Sequence, residues 1–170
     1  CESGYLDIAK WLYSLGDIDI HANNEYVFRT ICKNNHLDMF KWFYPLAEWN
    51  IIIIDEGDDE DEEYDENDEC ENALCFCCRY GYFEIVKWIH STNTIDIHLE
   101  EDEAFSLSCE NGHLEIAKWL YSLGGVNIHI NDEYTFSCTC QNNHFEIAKW
   151  LYSLGSVDIH SRNENAFCIT

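Results

Sequence analysis

Short apolar stretches alternate with polar hinges along this chain, and the alternation keeps a fixed register. From Tyr134 the sequence runs YTFSCTC, QNNH, FEIAKWLYSLG, SVDIH. Phe136, Thr139 and Cys140 are spaced i, i+3, i+4, which predicts a first helix from about Thr135 to Gln141. Phe145, Ile147, Ala148, Trp150, Leu151 and Leu154 form a broad apolar face, which predicts a second helix from about Phe145 to Leu154. Gly4, Asn35, Gly81, Gly112 and Asn143 recur between the two helices, and Gly and Asn are the residues that best tolerate φ > 0. This column predicts a left-handed turn closing the first helix. Gly16, Gly124 and Gly155 predict the same after the second. The next segment, such as Val126 to His129, alternates apolar and polar residues and predicts a short extended arm.

The register runs through the whole chain. Lys-Trp pairs occur at Trp11, Trp42, Trp88, Trp119 and Trp150, with spacings of 31, 46, 31 and 31. The long spacing exceeds the period by 15, which places an insertion between the second and third copies. Cys1, Cys32, Cys78, Cys109 and Cys140 form a second column, and Phe28, Leu74, Phe105, Phe136 and Phe167 a third. Helices this short are not stable alone. Stacked copies bury a continuous core, so the expectation is an all-α solenoid with Trp layered over Trp, largely buried, and Cys over Cys. Residues 22–54, 70–98, 99–129 and 130–160 are the repeats, 1–21 and 161–170 are partial ones, and 55–69 is the insertion. The chain is expected to be a fragment, because both ends fall inside a repeat and no capping copy or signal peptide is seen. The second repeat is expected to be the weakest layer: Pro45 replaces Ser near its helix end and Ala47 replaces the turn glycine.

Fifteen residues from Asp55 to Glu69 include twelve acids, a composition that predicts a disordered, self-repelling loop. The formal net charge is −24. That argues against nucleic acid, which needs clustered Lys and Arg, and favours a basic protein partner. No stretch is apolar and long enough to span a bilayer.

Glu110 to Gly124, ENGHLEIAKWLYSLG, resembles the second half of an ankyrin repeat. The resemblance covers the chain apart from the insertion. It departs in the opening of the first helix, where Tyr134-Thr-Phe-Ser137, Glu103-Ala-Phe-Ser106 and Asn165-Ala-Phe-Cys168 stand in place of Thr-Pro-Leu-His, and in a period of 31 instead of 33. Both departures are similar to the divergent ankyrin arrays of giant DNA viruses that infect protists. What the resemblance implies is an ankyrin-repeat solenoid with short extended fingers. Its concave face, built from fingers and first helices, would bind a protein.

On that implied face lie Tyr26, Arg29, Lys33, Glu103, Tyr134 and Gln141, joined by the loop acids Asp58, Asp59, Glu60 and Asp61 as candidate protein-binding residues. Gathering into one patch would favour binding, whereas scatter would favour an architectural repeat with no specific ligand. Other columns have duller readings. The column cysteines read as small, reduced core residues, since layers ~8–10 Å apart exceed disulfide reach. That usage fits an intracellular, reducing compartment. Cys70, Cys75, Cys77 and Cys78 could be read as a zinc cluster, but they lack paired ligand spacing. The loop lacks the glycine and terminal Glu of a calcium site. His36, His113 and His144 alternate with Tyr5 and Tyr82, which suggests packing; His21, His98, His129 and His160 end the arm. Glu25, Glu71, Asp102, Glu133 and Glu164 are expected just before the first helix, complementing its N-terminus and lining the concave side. No nucleophile, phosphate loop or metal-ligand helix motif is seen, so no catalytic, cofactor or metal residue is assigned and a non-enzyme is expected.

Overall fold

The computed structural model describes residues 5–16, 18–20, 22–47, 72–155 and 157–158; the side chains of 22–25, 47, 100 and 130–132 are not included. The acidic insertion therefore lies outside the described residues. Helices form in pairs, as the apolar periodicity requires: α1 (Leu6–Ser14), α2 (Ala22–Lys33), α3 (Leu37–Phe43), α4 (Ala73–Arg79), α5 (Phe83–Ser91), α6 (Leu99–Glu110), α7 (Leu114–Ser122), α8 (Ile130–Gln141) and α9 (Phe145–Leu154). No described residue is in a strand, so the architecture is an all-α repeat. None of these helices is long and apolar enough to cross a membrane.

Two compact units divide the chain, residues 1–76 and 77–170. In the first, α2 packs on α3. Phe28 sits 5.7 Å from Phe40 and 5.5 Å from Phe76, ring centre to ring centre. Here α3 stops at Phe43 and continues as a 3-10 turn, Tyr44–Ala47. The cause is Pro45. In the other repeats the residue at this position is Ser14, Ser91, Ser122 or Ser153, whose hydroxyl donates to the carbonyl of the Trp three residues before it at 2.6 Å. Proline offers neither that hydroxyl nor a backbone donor.

In the second unit, α6 pairs with α7 and α8 with α9, while α6 packs on α8 and α5 on α7. The second helices bury Ile85, Val86 and Ile89, then Ile116, Ala117 and Leu120, then Ile147 and Leu151. The first helices are walled on several sides. Ala104, Phe105, Leu107, Ser108 and Cys109 of α6 are all buried, so small residues allow close approach on each face.

The tryptophans are a correction. Trp11 is 60% exposed, and Trp42, Trp88, Trp119 and Trp150 are only partly buried. Core volume is filled by the residues three before and one after the Trp, Ile85 and Ile89, Ile116 and Leu120, Ile147 and Leu151. Three of the rings instead take an edge-to-face neighbour from the preceding repeat: Tyr13 on Trp42 at 5.7 Å, His90 on Trp119 at 5.2 Å, Tyr121 on Trp150 at 5.7 Å. The offset geometry suits the ring quadrupoles and leaves one edge wet.

The turn column behaves as expected. Asn35, Gly81, Gly112 and Asn143 all have φ between 51° and 84°. Gly112 donates to Cys109 O at 3.3 Å and His113 to Ser108 O at 2.8 Å, the paired bonds of a Schellman motif. Gly16, Gly124 and Gly155 also have positive φ after the second helix, and Asn93 fills the same slot after α5. The arm is tighter than expected. Gly125 has φ +86, and Asn127 then turns the chain by accepting the His129 N–H on its own side chain at 3.1 Å. The first helices open earlier than Thr135, yet Glu101, Asp102 and Glu133 are left-handed (φ 56°, 64° and 64°). A regular helix thus runs only from Glu103 and Tyr134.

A Cβ at Gly112 would stand 2.6 Å from the His144 ring, whereas Gly124 at nearly the same φ has nothing within 4 Å. Backbone strain cancels between the two positions. Gly112→Ala is therefore expected to cost about 1–3 kcal/mol more than Gly124→Ala in urea denaturation. Equal costs would contradict the ring-on-glycine contact.

Candidate functional site

Buried acids tie one repeat to the next. The Asp102 side chain accepts from His98 Nδ1 at 2.5 Å and, through its other oxygen, from the backbone N–H of Asn127 in the following arm at 2.9 Å. One period later Glu133 accepts from His129 Nδ1 at 2.7 Å and from the Asp158 N–H at 3.4 Å, both on Oε1. Its longer side chain leaves Oε2 buried with no hydrogen-bond partner among the described residues. These acids overturn the expectation of an exposed stripe before the helix: Asp102 and Glu133 are buried, inside the helix span and left-handed. A buried carboxylate needs hydrogen-bond donors, and here a histidine and a neighbour's backbone supply them, to both oxygens of Asp102 and to one of Glu133. The glutamates at 25, 71 and 164 have no described side chains.

The other histidine column packs on glycine. The His113 ring lies over Gly81 and its Nε2–H donates to Arg79 O at 2.8 Å; the His144 ring lies over Gly112. Ser106 Oγ of α6 meets Thr135 Oγ1 of α8 at 2.8 Å, and Asn142 Nδ2, just past α8, donates to Glu110 O at 2.9 Å.

What remains accessible on the first helices is the candidate surface. Tyr26 is 53% exposed, Arg29 is partly so and Lys33 is exposed, all on one face of α2 in the first unit. In the second unit Tyr134 is 37% exposed. Gln141, two turns on, lies on the same face of α8 and is exposed; Glu103 holds the equivalent position on adjacent α6 and is partly buried. Asp58, Asp59, Glu60 and Asp61 fall outside the described residues. Glu101 is exposed next to Glu103 and was not among the sequence candidates. Its signal was the run Glu100 to Glu103, of which the register singled out Asp102 and Glu103.

Among the described residues Cys32, Cys75, Cys77, Cys78, Cys109, Cys138 and Cys140 form no disulfide. Among the described residues no group of three or more His, Cys, Asp or Glu could hold a metal ion, and Cys70 lies outside them. Burial pushes the Cys109 thiol far above its ordinary range and raises Cys140 as well.

Two outcomes follow. Asp102→Ala removes the acceptor for two donors and is expected to cost about 1–3 kcal/mol. Asp102→Asn, which keeps an acceptor and tolerates φ > 0, should lose less than half of that; equal losses would deny the clamp. For Cys109, a folded pKa above the unfolded one means the native state keeps its proton while the unfolded chain loses it above pH ~8.5. The thiol's stabilising contribution is full below that pH and is lost as pH rises, by at most about 1.4 kcal/mol per unit. Denaturant midpoints from pH 7 to 10 should fall more steeply for the native sequence than for Cys109→Ala; parallel curves would contradict this.

A comparison with curated proteins finds no match. A family model described as ankyrin repeats (3 copies) matches residues 30–133 and again 74–163. These spans cover most of the chain and all the helix pairs from α2's end to α9. The helix-turn-helix layers, the Schellman turns and this match agree, and the chain belongs to the ankyrin-repeat family.

Proposed function

We propose that this chain is a non-catalytic protein-interaction module whose first-helix face binds a basic protein segment. The observation that carries the reading is charge segregation between helices. Each outer helix of the second unit is neutral by pairing: Glu84 with Lys87 on α5, Glu115 with Lys118 on α7, Glu146 with Lys149 on α9. Two of these pairs are in contact. The inner helix α6 carries Glu100, Glu101, Asp102, Glu103 and Glu110 without a Lys or Arg, and α8 adds Asp132 and Glu133. Subtracting the buried clamp acids leaves Glu101, Glu103 and Glu110 beside Tyr134 and Gln141, an acidic surface with an aromatic anchor.

The acids Asp55 to Glu69 take the place of an arm by register and would steer the same partner from a distance. Nucleic acid is disfavoured by the same negative charge. Cysteines outside disulfides fit a reducing, intracellular compartment. The 31-residue period and altered helix openings support the likeness to giant-virus arrays.

Stopped-flow binding of a Lys/Arg-rich peptide tests this. Association should slow at least ~10-fold on deleting 55–69 at low salt, and should lose much of its salt dependence, with dissociation little changed. Tyr134→Ala should chiefly speed dissociation. An association rate that ignores both salt and the loop would defeat the steering role, and equal binding of an uncharged peptide would defeat the basic partner.

A further inference from the structure

Asn111-Gly112 follows inner helix α6 and is the one Asn-Gly step in the chain. That dipeptide carries a reaction of its own. With no side chain on the second residue, its backbone nitrogen can approach the asparagine side chain. The Gly112 nitrogen gives its proton to hydroxide as it bonds to Asn111 Cγ, and the Cγ–Nδ2 bond breaks to release ammonia. The five-membered imide so formed takes up one water at either carbonyl. It opens to aspartate, or to isoaspartate, in which the main chain runs through the side-chain carboxyl. Amide and water become acid and ammonia, with no oxidant or reductant needed.

The fold blocks every part of this step. Ring closure needs the Gly112 nitrogen eclipsed with Asn111 Cβ. With Asn111 at ψ 9° that nitrogen is nearly eclipsed with the backbone nitrogen of Asn111 instead, a third of a turn away. Both reacting groups are held elsewhere: the Gly112 N–H donates to Cys109 O at 3.3 Å, and Asn111 Nδ2 donates to Leu107 O at 2.9 Å. The following layer closes the turn from outside. The His144 ring, carried just before α9, lies on Gly112, and Asn142 Nδ2 donates to Glu110 O at 2.9 Å. Asn34 and Asn142 hold the position of Asn111 in their own repeats, but Asn35 and Asn143 follow them, and a side chain there hinders the attack.

We infer that Asn111 is a site of self-modification gated by the next layer: silent while α8 and α9 are stacked on α6 and α7, and reactive when they part. The product does not return to the starting turn. An aspartate at 111 loses the donor to Leu107 O and sets a negative charge against the carbonyl end of α6. An isoaspartate lengthens the main chain by a carbon inside the two hydrogen bonds that define the turn, Gly112 to Cys109 O and His113 to Ser108 O. An opening that lasts long enough to react therefore leaves a permanent mark at this junction.

Incubation of the full chain in mildly alkaline buffer, followed by peptide mapping in a mass spectrometer, tests the inference. Unfolded in urea, the chain should convert Asn111 ahead of every other asparagine. Folded, it should convert Asn111 at least ~100-fold more slowly, because the rate then follows the small population of the open layer. His144→Ala uncovers Gly112, whereas Val86→Ala loosens the layer on the other side of α6 and α7. After correction for each variant's loss of global stability, His144→Ala should speed conversion in the folded chain about tenfold more than Val86→Ala. Asn111→Asp stands for the product, and its Gly112 and His113 amides should exchange hydrogen about tenfold or more faster than in the native chain. Three results would overturn the inference: Asn111 converting as fast folded as unfolded, His144→Ala giving no more than Val86→Ala, or Asn111→Asp keeping native exchange at the turn.

Discussion

A pair of helices seven to twelve residues long has more apolar surface than it can hide within itself, so every layer of this protein depends on the next. That dependence is met by three contacts repeated at the period of the sequence. Apolar side chains of the second helices fill the interior, Ile116 and Leu120 in one layer and Ile147 and Leu151 in the next. A histidine ring lies on the preceding turn glycine, His113 on Gly81 and His144 on Gly112. A buried acid accepts a backbone N–H from the following arm, Asp102 from Asn127 and Glu133 from Asp158. The last contact sets the spacing of layers as well as their attraction, because a hydrogen bond tolerates only a few tenths of an ångström.

These contacts also decide which charges are left for function. An acid used inside the stack cannot attract a partner, and a glutamate paired with a lysine on an outer helix contributes little field. Among the described residues, Glu101, Glu103 and Glu110 on inner helix α6 are neither buried in the clamp nor paired by register with a lysine. The division of labour follows from geometry: first helices are walled in on the core side and open on the other, so their open side carries the unspent charge.

Much of this was legible in the sequence. Period, helix pairing and turn positions were set by residues with a single strong local preference: Gly112 and Asn143 for φ > 0, Pro45 against helix, Ile147 and Leu151 on one face. The boundaries of α9 coincide with its apolar pattern. The burial of tryptophan was not legible, because a column of large apolar residues at helical spacing looks the same whether it sits at the centre of a face or at its margin. Trp150 is at the margin, where Tyr121 covers one side only. The acidic column was misread for a related reason. Charge before a helix suggests a dipole contact, and only the three-dimensional path shows that Glu101 and Asp102 turn left-handed and aim a carboxylate inward at His98 and Asn127. Of the candidate surface, residue types and helix faces were readable, but the grouping of Glu103 with Tyr134 needed the packing of α6 on α8.

The central claim is that each layer is held to the next through the buried acid, and the amide of Asn127 reports on it directly. It sits in a short exposed arm outside any helix. An arm amide with only water as partner exchanges its hydrogen at close to the rate of an unfolded chain. Native-state hydrogen exchange should instead find the Asn127 N–H protected nearly as well as the core amides of α7, with that protection lost in Asp102→Ala while α7 itself stays slow. Fast exchange at Asn127 in the native protein, or slow exchange that survives the loss of Asp102, would contradict the account.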